Sequence, residues 1–243
     1  RIGYAGPTKC GNRKMGAFFE AHIEQGPILE AENKTIGVVQ GVQGIRWFEI
    51  EVIGMESHAG TTPMERRKDA LVGVSNMIAE AHRIGNANMP DGRTTIGYME
   101  VNPNSTNVIP GRVFFRADIR HPDAKTLDNM ENEFHNFCKN TADQLKLKLN
   151  FQRIWYSEPV AFDKQCIEAV QNAADSLGLD NRKITSGAGH DAVYVSRVAP
   201  TAMIFIPCED GISHNEIEEA APNDLAAGCD VLLNAMISRA NAA

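Results

Sequence analysis

Histidines that follow apolar runs are the residues of this 243-residue chain whose setting points most directly to chemistry. His22 closes Phe18-Phe19-Glu20-Ala21 and opens onto Ile23-Glu24-Gln25-Gly26-Pro27. His214 follows Ile204-Phe205-Ile206-Pro207, inside Gly211-Ile212-Ser213-His214-Asn215-Glu216. An apolar strand that ends in an imidazole delivers it to the carboxyl end of a sheet, where open α/β folds keep their ligands. Neutral imidazole is also the commonest metal ligand. His22 and His214 are therefore expected to converge on one metal centre, although two ligands fall short of the three or four that zinc and related ions take. For His22 taken alone, a satisfied core histidine accounts for the residue equally well.

Other positions carry a different kind of chemistry. His58 lies in Glu56-Ser57-His58-Ala59-Gly60-Thr61-Thr62-Pro63-Met64, where a turn offers backbone N–H groups and hydroxyls suited to an anion or a polarised carbonyl. Thr62 is expected to cap the following helix, with Pro63 in its first turn. Asn107 and Arg120 flank a strand, and Arg grips a carboxylate bidentately, although a salt bridge to Asp118 or Asp123 explains it as simply. In Ser186-Gly187-Ala188-Gly189-His190-Asp191-Ala192 a serine triad is conceivable, but adjacent His and Asp side chains rarely face each other. His190 is instead expected to support the site or face substrate. His82, His121 and His135 sit among polar neighbours and read as surface residues.

Composition narrows the classes. There are 24 Lys plus Arg against 31 Asp plus Glu, a formal charge of -7, and no basic block, which argues against nucleic acid. No apolar run approaches the roughly 20 residues of a membrane span, so a soluble protein is expected. Five scattered cysteines without a C-x-x-C pair fit neither a zinc ribbon nor a disulfide framework, and a reducing cytoplasm is the default. Small molecules or other protein chains are the expected partners.

These side chains need a scaffold, and periodicity supplies one. Strands are expected from Ile45 to Gly54, Thr94 to Val101, Arg112 to Arg120 and Leu147 to Ile154. Helices are expected between Arg66 and Ile84 and from Ala124 to about Gln144. The order β-α-β-β-α-β is that of a ferredoxin-like unit. Around it, residues 16–40 supply a strand and part of a helix or second strand. Residues 157–243 read as helix (Lys164 to Leu177), strand (Thr201 to Pro207) and helix (Asp224 to about Ala240). The expected organisation is a discontinuous α/β catalytic domain over 1–43 and 157–243, carrying a ferredoxin-like insertion over 44–156. Arg1 is not a Met, and the chain is expected to begin inside a domain.

The stretches His22-Ile23-Glu24-Gln25-Gly26-Pro27, Ser57-His58-Ala59-Gly60-Thr61-Thr62-Pro63-Met64, Asn107-Val108-Ile109-Pro110-Gly111, Ser186-Gly187-Ala188-Gly189-His190-Asp191-Ala192 and Gly211-Ile212-Ser213-His214-Asn215 resemble, in this order, one family. It is the N-carbamoyl-L-amino-acid hydrolase, β-ureidopropionase and allantoate amidohydrolase family, two-metal amidohydrolases of the aminoacylase and carboxypeptidase type. The resemblance implies a catalytic domain holding two divalent ions (zinc, manganese, cobalt or nickel), interrupted by a dimerisation or lid domain, and hence a homodimer. It implies His22 as a terminal ligand of one metal and His214 of the other. It implies His58 as a lid histidine that reaches a neighbouring subunit's active site, and Asn107 with Arg120 as the pair that grips the substrate carboxylate. Gln25 is expected near the carbamoyl group and His190 facing substrate or supporting the site. The family's N-terminal segment, which supplies a His, a bridging Asp, a Glu ligand and a Glu general base, has no counterpart before Arg1. The expected activity is cleavage of N-carbamoyl amino acids, α or β. Allantoate is the alternative substrate, and a catalytically silent chain acting through dimerisation is the alternative of another class.

Overall fold

The structure, a computed structural model, describes Gly3 and residues 6–242; the remaining positions of the two expected outer segments lie outside the described residues. Two compact units divide the chain. One runs to Val42 and resumes at Val160, and the other is Gln43–Pro159.

The first unit begins with β1 (Phe18–Ile23), a one-turn helix α1 (Ile28–Ala31) and β2 (Ile36–Val42). The second unit follows as β3 (Gly44–Ile53), β4 (Ser57–His58), α2 (Ala70–Ala87), β5 (Arg93–Asn102), β6 (Val108–Ile109), β7 (Arg112–His121), α3 (Ala124–Gln144) and β8 (Lys148–Ser157). The chain then returns to the first unit with β9 (Val160–Ala161), α4 (Lys164–Ser176), β10 (Asn181–Ser186), α5 (Asp191–Val195), β11 (Thr201–Ile206) and α6 (Pro222–Asn241).

In the second unit the long strands form one sheet in the order β5-β7-β3-β8, antiparallel at every pairing. That is the ferredoxin-like order, with both helices on one face. Alternation along the strands decides which face is buried. Phe48, Ile50 and Val52 of β3 and Val113, Phe115 and Ala117 of β7 pack against Val74, Met77 and Ala81 of α2 and Leu127, Met130 and Phe134 of α3. The opposite face carries charge, including the cross-strand pairs Arg112–Glu51 and Arg116–Glu49. The helix expected from Arg66 begins only after Asp69, whose carboxylate accepts the N–H groups of Leu71 and Val72 at 3.0 and 3.2 Å. Pro63 leads instead into a separate 3-10 turn, Met64–Arg66, and Thr62 caps nothing. A better acceptor downstream fixed the start.

The first unit is built on a sheet in the order β1-β11-β2-β10, with β9 added on β2. β1 and β11 run parallel in register, with His22 beside Phe205. Side chains of period two divide the core into two layers. Ile36, Val38, Ala202 and Ile204 meet α4 and α6 on one face. Met203, Phe205 and Val39 meet Leu29, Ala192 and Val193 on the other. Phe18 packs into the second layer and Phe19 and Ile23 into the first, so Glu20 and His22 point to the Phe205 side. None of the described helices is long and apolar enough to cross a membrane.

Candidate metal centre and its surroundings

His22 is presented on a sheet face rather than from a loop beyond the strand tip, since β1 continues to Ile23. Its Nδ1 lies 2.8 Å from the carbonyl oxygen of Ile23. A carbonyl only accepts, so Nδ1 carries the proton and Nε2 presents its lone pair. That tautomer leaves Nε2 available to bind a metal.

Glu20 and His190 stand beside it. The ligand atoms of Glu20, His22 and His190 all lie within 4.8 Å of one another, and the His22 and His190 rings meet edge to face at 4.8 Å. One oxygen of Glu20 accepts the N–H of Ala192 at 2.8 Å, which ties β1 to the start of α5. The other faces Nδ1 of His190 at 3.8 Å. The far nitrogen, Nε2 of His190, is 2.7 Å from Ser186 Oγ. Burial, with His22 alongside, pushes His190 down to about 4, so the ring is neutral near pH 7. The carboxylate that completes a Ser-His-acid row is thus Glu20 and not Asp191. Ser186 is only 1% exposed and its hydroxyl also engages Ala188, so the row serves to hold His190 and offers no nucleophile.

His214 stands outside the group of Glu20, His22 and His190. It sits in the loop after β11, in the left-handed region at φ 57, and Gln25, at the exit of β1, has φ 58. The Gln25 side-chain amide donates to Ser213 Oγ at 2.8 Å and lies 3.3 Å from His214 Nε2. Two non-glycine residues held at positive φ and touching each other indicate loops over-determined by their packing. Glu24 supplies part of that packing, since its buried carboxylate accepts the N–H groups of Ile28 and Leu29 at the start of α1. His22 and His214 are thus linked through the Gln25 loop instead of sharing one ligand cluster.

In the second unit, β4 and β6 pair antiparallel, His58 opposite Val108, and Ala59 N–H donates to the Asn107 carbonyl. His58 and Asn107 therefore share one small ribbon. Gly60 and Thr61 N–H donate to His58 Nδ1 at 3.0 and 3.2 Å. The backbone donors expected to hold an anion are spent on the ring, and in exchange they make Nε2–H the outward donor of the neutral imidazole. Arg120 is forked by Asp118 at 2.8 and 2.7 Å, the simple salt bridge anticipated for it. Arg120 stands near the far end of β7 from β6; eight residue steps from Arg112 amount to about 27 Å at roughly 3.4 Å each. Asn107 and Arg120 of one chain do not meet. His82 and His135 are exposed, as expected, and His121 is only half-buried.

Sequence reasoning missed Glu20. The signal was its position two residues before His22 in a strand, which puts both on one face.

Residues 4–238 match the model of peptidase family M20/M25/M40. An N-carbamoyl-L-amino-acid amidohydrolase of Rhizobium meliloti is 42% identical over 99% of this chain and 58% of its own length. The allantoate amidohydrolase of Escherichia coli K12 is 36% identical over 89% of this chain and 53% of its own. A crystal structure of an amidase of the hydantoinase/carbamoylase family from Burkholderia multivorans superposes with a TM-score of 0.94 at 54% identity, over 98% of this chain and 58% of that one. The chain spans somewhat more than half the length of these relatives. With two imidazoles and a carboxylate gathered on one sheet face, and this match over nearly its whole length, the chain belongs to peptidase family M20/M25/M40.

Proposed function

We propose that the protein hydrolyses the carbamoyl C–N bond of N-carbamoyl amino acids, giving the amino acid, ammonia and carbon dioxide, with allantoate as the alternative substrate of the same class. The observation that carries this reading is His22, tautomer-fixed with Nε2 as the free lone pair and grouped with Glu20 and His190. Imidazole and carboxylate donors suit zinc, manganese, cobalt or nickel. His22 would hold one such ion and His214 a second, the latter by releasing Nε2 from Gln25. Bound divalent ions lower the pKa of water and polarise a carbonyl.

The chain's own residues do the rest. His58 donates from Nε2 to the oxyanion that forms when the ureido carbon is attacked. Gln25 orients the carbamoyl group through its amide, and Arg120 binds the substrate carboxylate. His190, neutral and held by Ser186 with Glu20 beside it, lines the site as a hydrogen-bonding wall. The separation of Asn107 from Arg120 along β7 supports a homodimer in which His58 and Asn107 of one copy complete a site that uses Arg120 of the other. Five free thiols favour the reducing cytoplasm as its location.

The test is amino-acid release by the metal-loaded protein from N-carbamoyl-α-amino acids, N-carbamoyl-β-alanine and allantoate. Turnover of a carbamoyl amino acid, lowered at least about a hundredfold in H58A by loss of an oxyanion donor, is expected. Preference for allantoate over every carbamoyl amino acid would overturn the substrate assignment.

A further inference from the structure

One row of side chains on the outward face of the second unit's sheet has the composition of a recognition surface. Across β8, β3 and β7, Trp155, Trp47 and Asp118 are direct register partners. The two indoles lie 4.9 Å apart, and both are exposed, at 38% and 42%. The Trp47 indole N–H donates to Asp118 Oδ2 at 2.7 Å. Asp118 in turn accepts Nε and Nη2 of Arg120 at 2.8 and 2.7 Å. Side chains two residues apart on a strand share a face, so Arg120 continues the row.

Elsewhere this face carries Arg–Glu pairs and one Tyr98–Phe114 contact under the Arg116 guanidinium, whereas the Trp47–Trp155 pair is the largest exposed apolar surface beside Arg120. The two indoles, in contact with their planes tilted by 44°, make an apolar wall, and the Trp47 indole N–H and the Arg120 guanidinium meet on one carboxylate. A guanidinium left to rotate about its side-chain bonds loses rotamer freedom on binding an anion, whereas one already forked by Asp118 has given up that freedom beforehand. The fork also fixes the plane in which the guanidinium sits, which a point charge alone does not do.

We propose that Asp118 is the positioning residue of Arg120, and that the Trp47–Trp155 pair is the apolar wall beside it, so that the row selects carboxylates bearing a bulky apolar side chain. The inference rests on Arg120 as the carboxylate-binding residue of the proposed function. It adds the substrate class, large apolar N-carbamoyl amino acids over N-carbamoylglycine.

The chain has only two tryptophans, and both stand in this row, so the whole indole fluorescence of the protein reports on it. N-carbamoyl-L-leucine and N-carbamoylglycine are titrated into the metal-loaded protein with tryptophan emission as the readout, and folding of each variant is checked by circular dichroism. The expected result is a saturable change, tighter for the leucine derivative, that is abolished in R120A. In D118N it weakens roughly tenfold, the effect of about 1.4 kcal/mol, and D118E restores part of it. In W155A, where Trp47 still reports, the two ligands bind alike. If R120A binds as the unaltered protein does, the carboxylate reading of Arg120 fails and the proposal with it. If R120A loses binding while D118N keeps it, that reading stands and the positioning role of Asp118 is overturned. Equal binding of the two ligands by the unaltered protein, or no saturable change, overturns the aromatic wall.

Discussion

A histidine's usefulness is decided by the partner of its other nitrogen, and two histidines here are committed in opposite senses. The Ile23 carbonyl accepts from Nδ1 of His22, which keeps the proton there and leaves Nε2 as a ligand, whereas the Gly60 and Thr61 N–H groups leave His58 as an Nε2–H donor. Glu20 is the residue on which the neighbourhood of His22 turns, since one of its oxygens accepts the Ala192 N–H and the other stands 3.8 Å from Nδ1 of His190. Glu20→Ala leaves the buried Ala192 N–H without its acceptor, and is expected to lower stability by about 1–3 kcal/mol in urea unfolding of the metal-free protein. At this scale the sequence carried the imidazoles but not their partners. His22 and His190 stood in recognisable stretches. Glu20 read as one polar residue in an apolar run, and the distance between Asn107 and Arg120 depended on the length of β7.

Secondary elements position these groups by packing backbone against backbone. The exits of β1 and β11 meet at Gly211, which has φ +66 and where an added Cβ would lie 2.6 Å from Gly26 C and Pro27 N. Gly211→Ala therefore has both a conformational and a steric cost. A loss of at least about 2 kcal/mol is expected in thermal or denaturant melts, with displacement of the Gln25 and His214 loops visible as altered histidine ring signals in NMR spectra. The elements of the second unit were legible because their apolar period is regular, as in β3 and α2. β10 was not, because its first residues, Asn181-Arg182-Lys183, are polar: it is an edge strand, and its pairing with β2 is a long-range contact that no local pattern records. α5, five residues long, is too short to show a helical period.

At the scale of the whole molecule, two separate cores are each closed by their own helices, and they divide the cysteines unequally. Cys138 in the second unit is pushed up to about 12 by burial and Cys166 in the first to about 11, and burial also raises Cys208. A thiolate is the reactive form, so these three are protected twice, by access and by protonation. Cys10 and Cys229 are exposed. A chromogenic disulfide reagent at pH 8 is expected to titrate two thiols in the native protein and all five after denaturation. Rapid reaction of more than two under native conditions would contradict the packing described.

Metal binding by His22, on the face of β1, is what the proposed function rests on most directly. Elemental analysis after gel filtration of the protein and of His22→Ala, both loaded with zinc or manganese, tests it directly. The expected result is a stoichiometric divalent ion retained by the unaltered protein and lost in the variant, with the fold intact by circular dichroism. Equal metal content in the two, or none in either, would contradict the account.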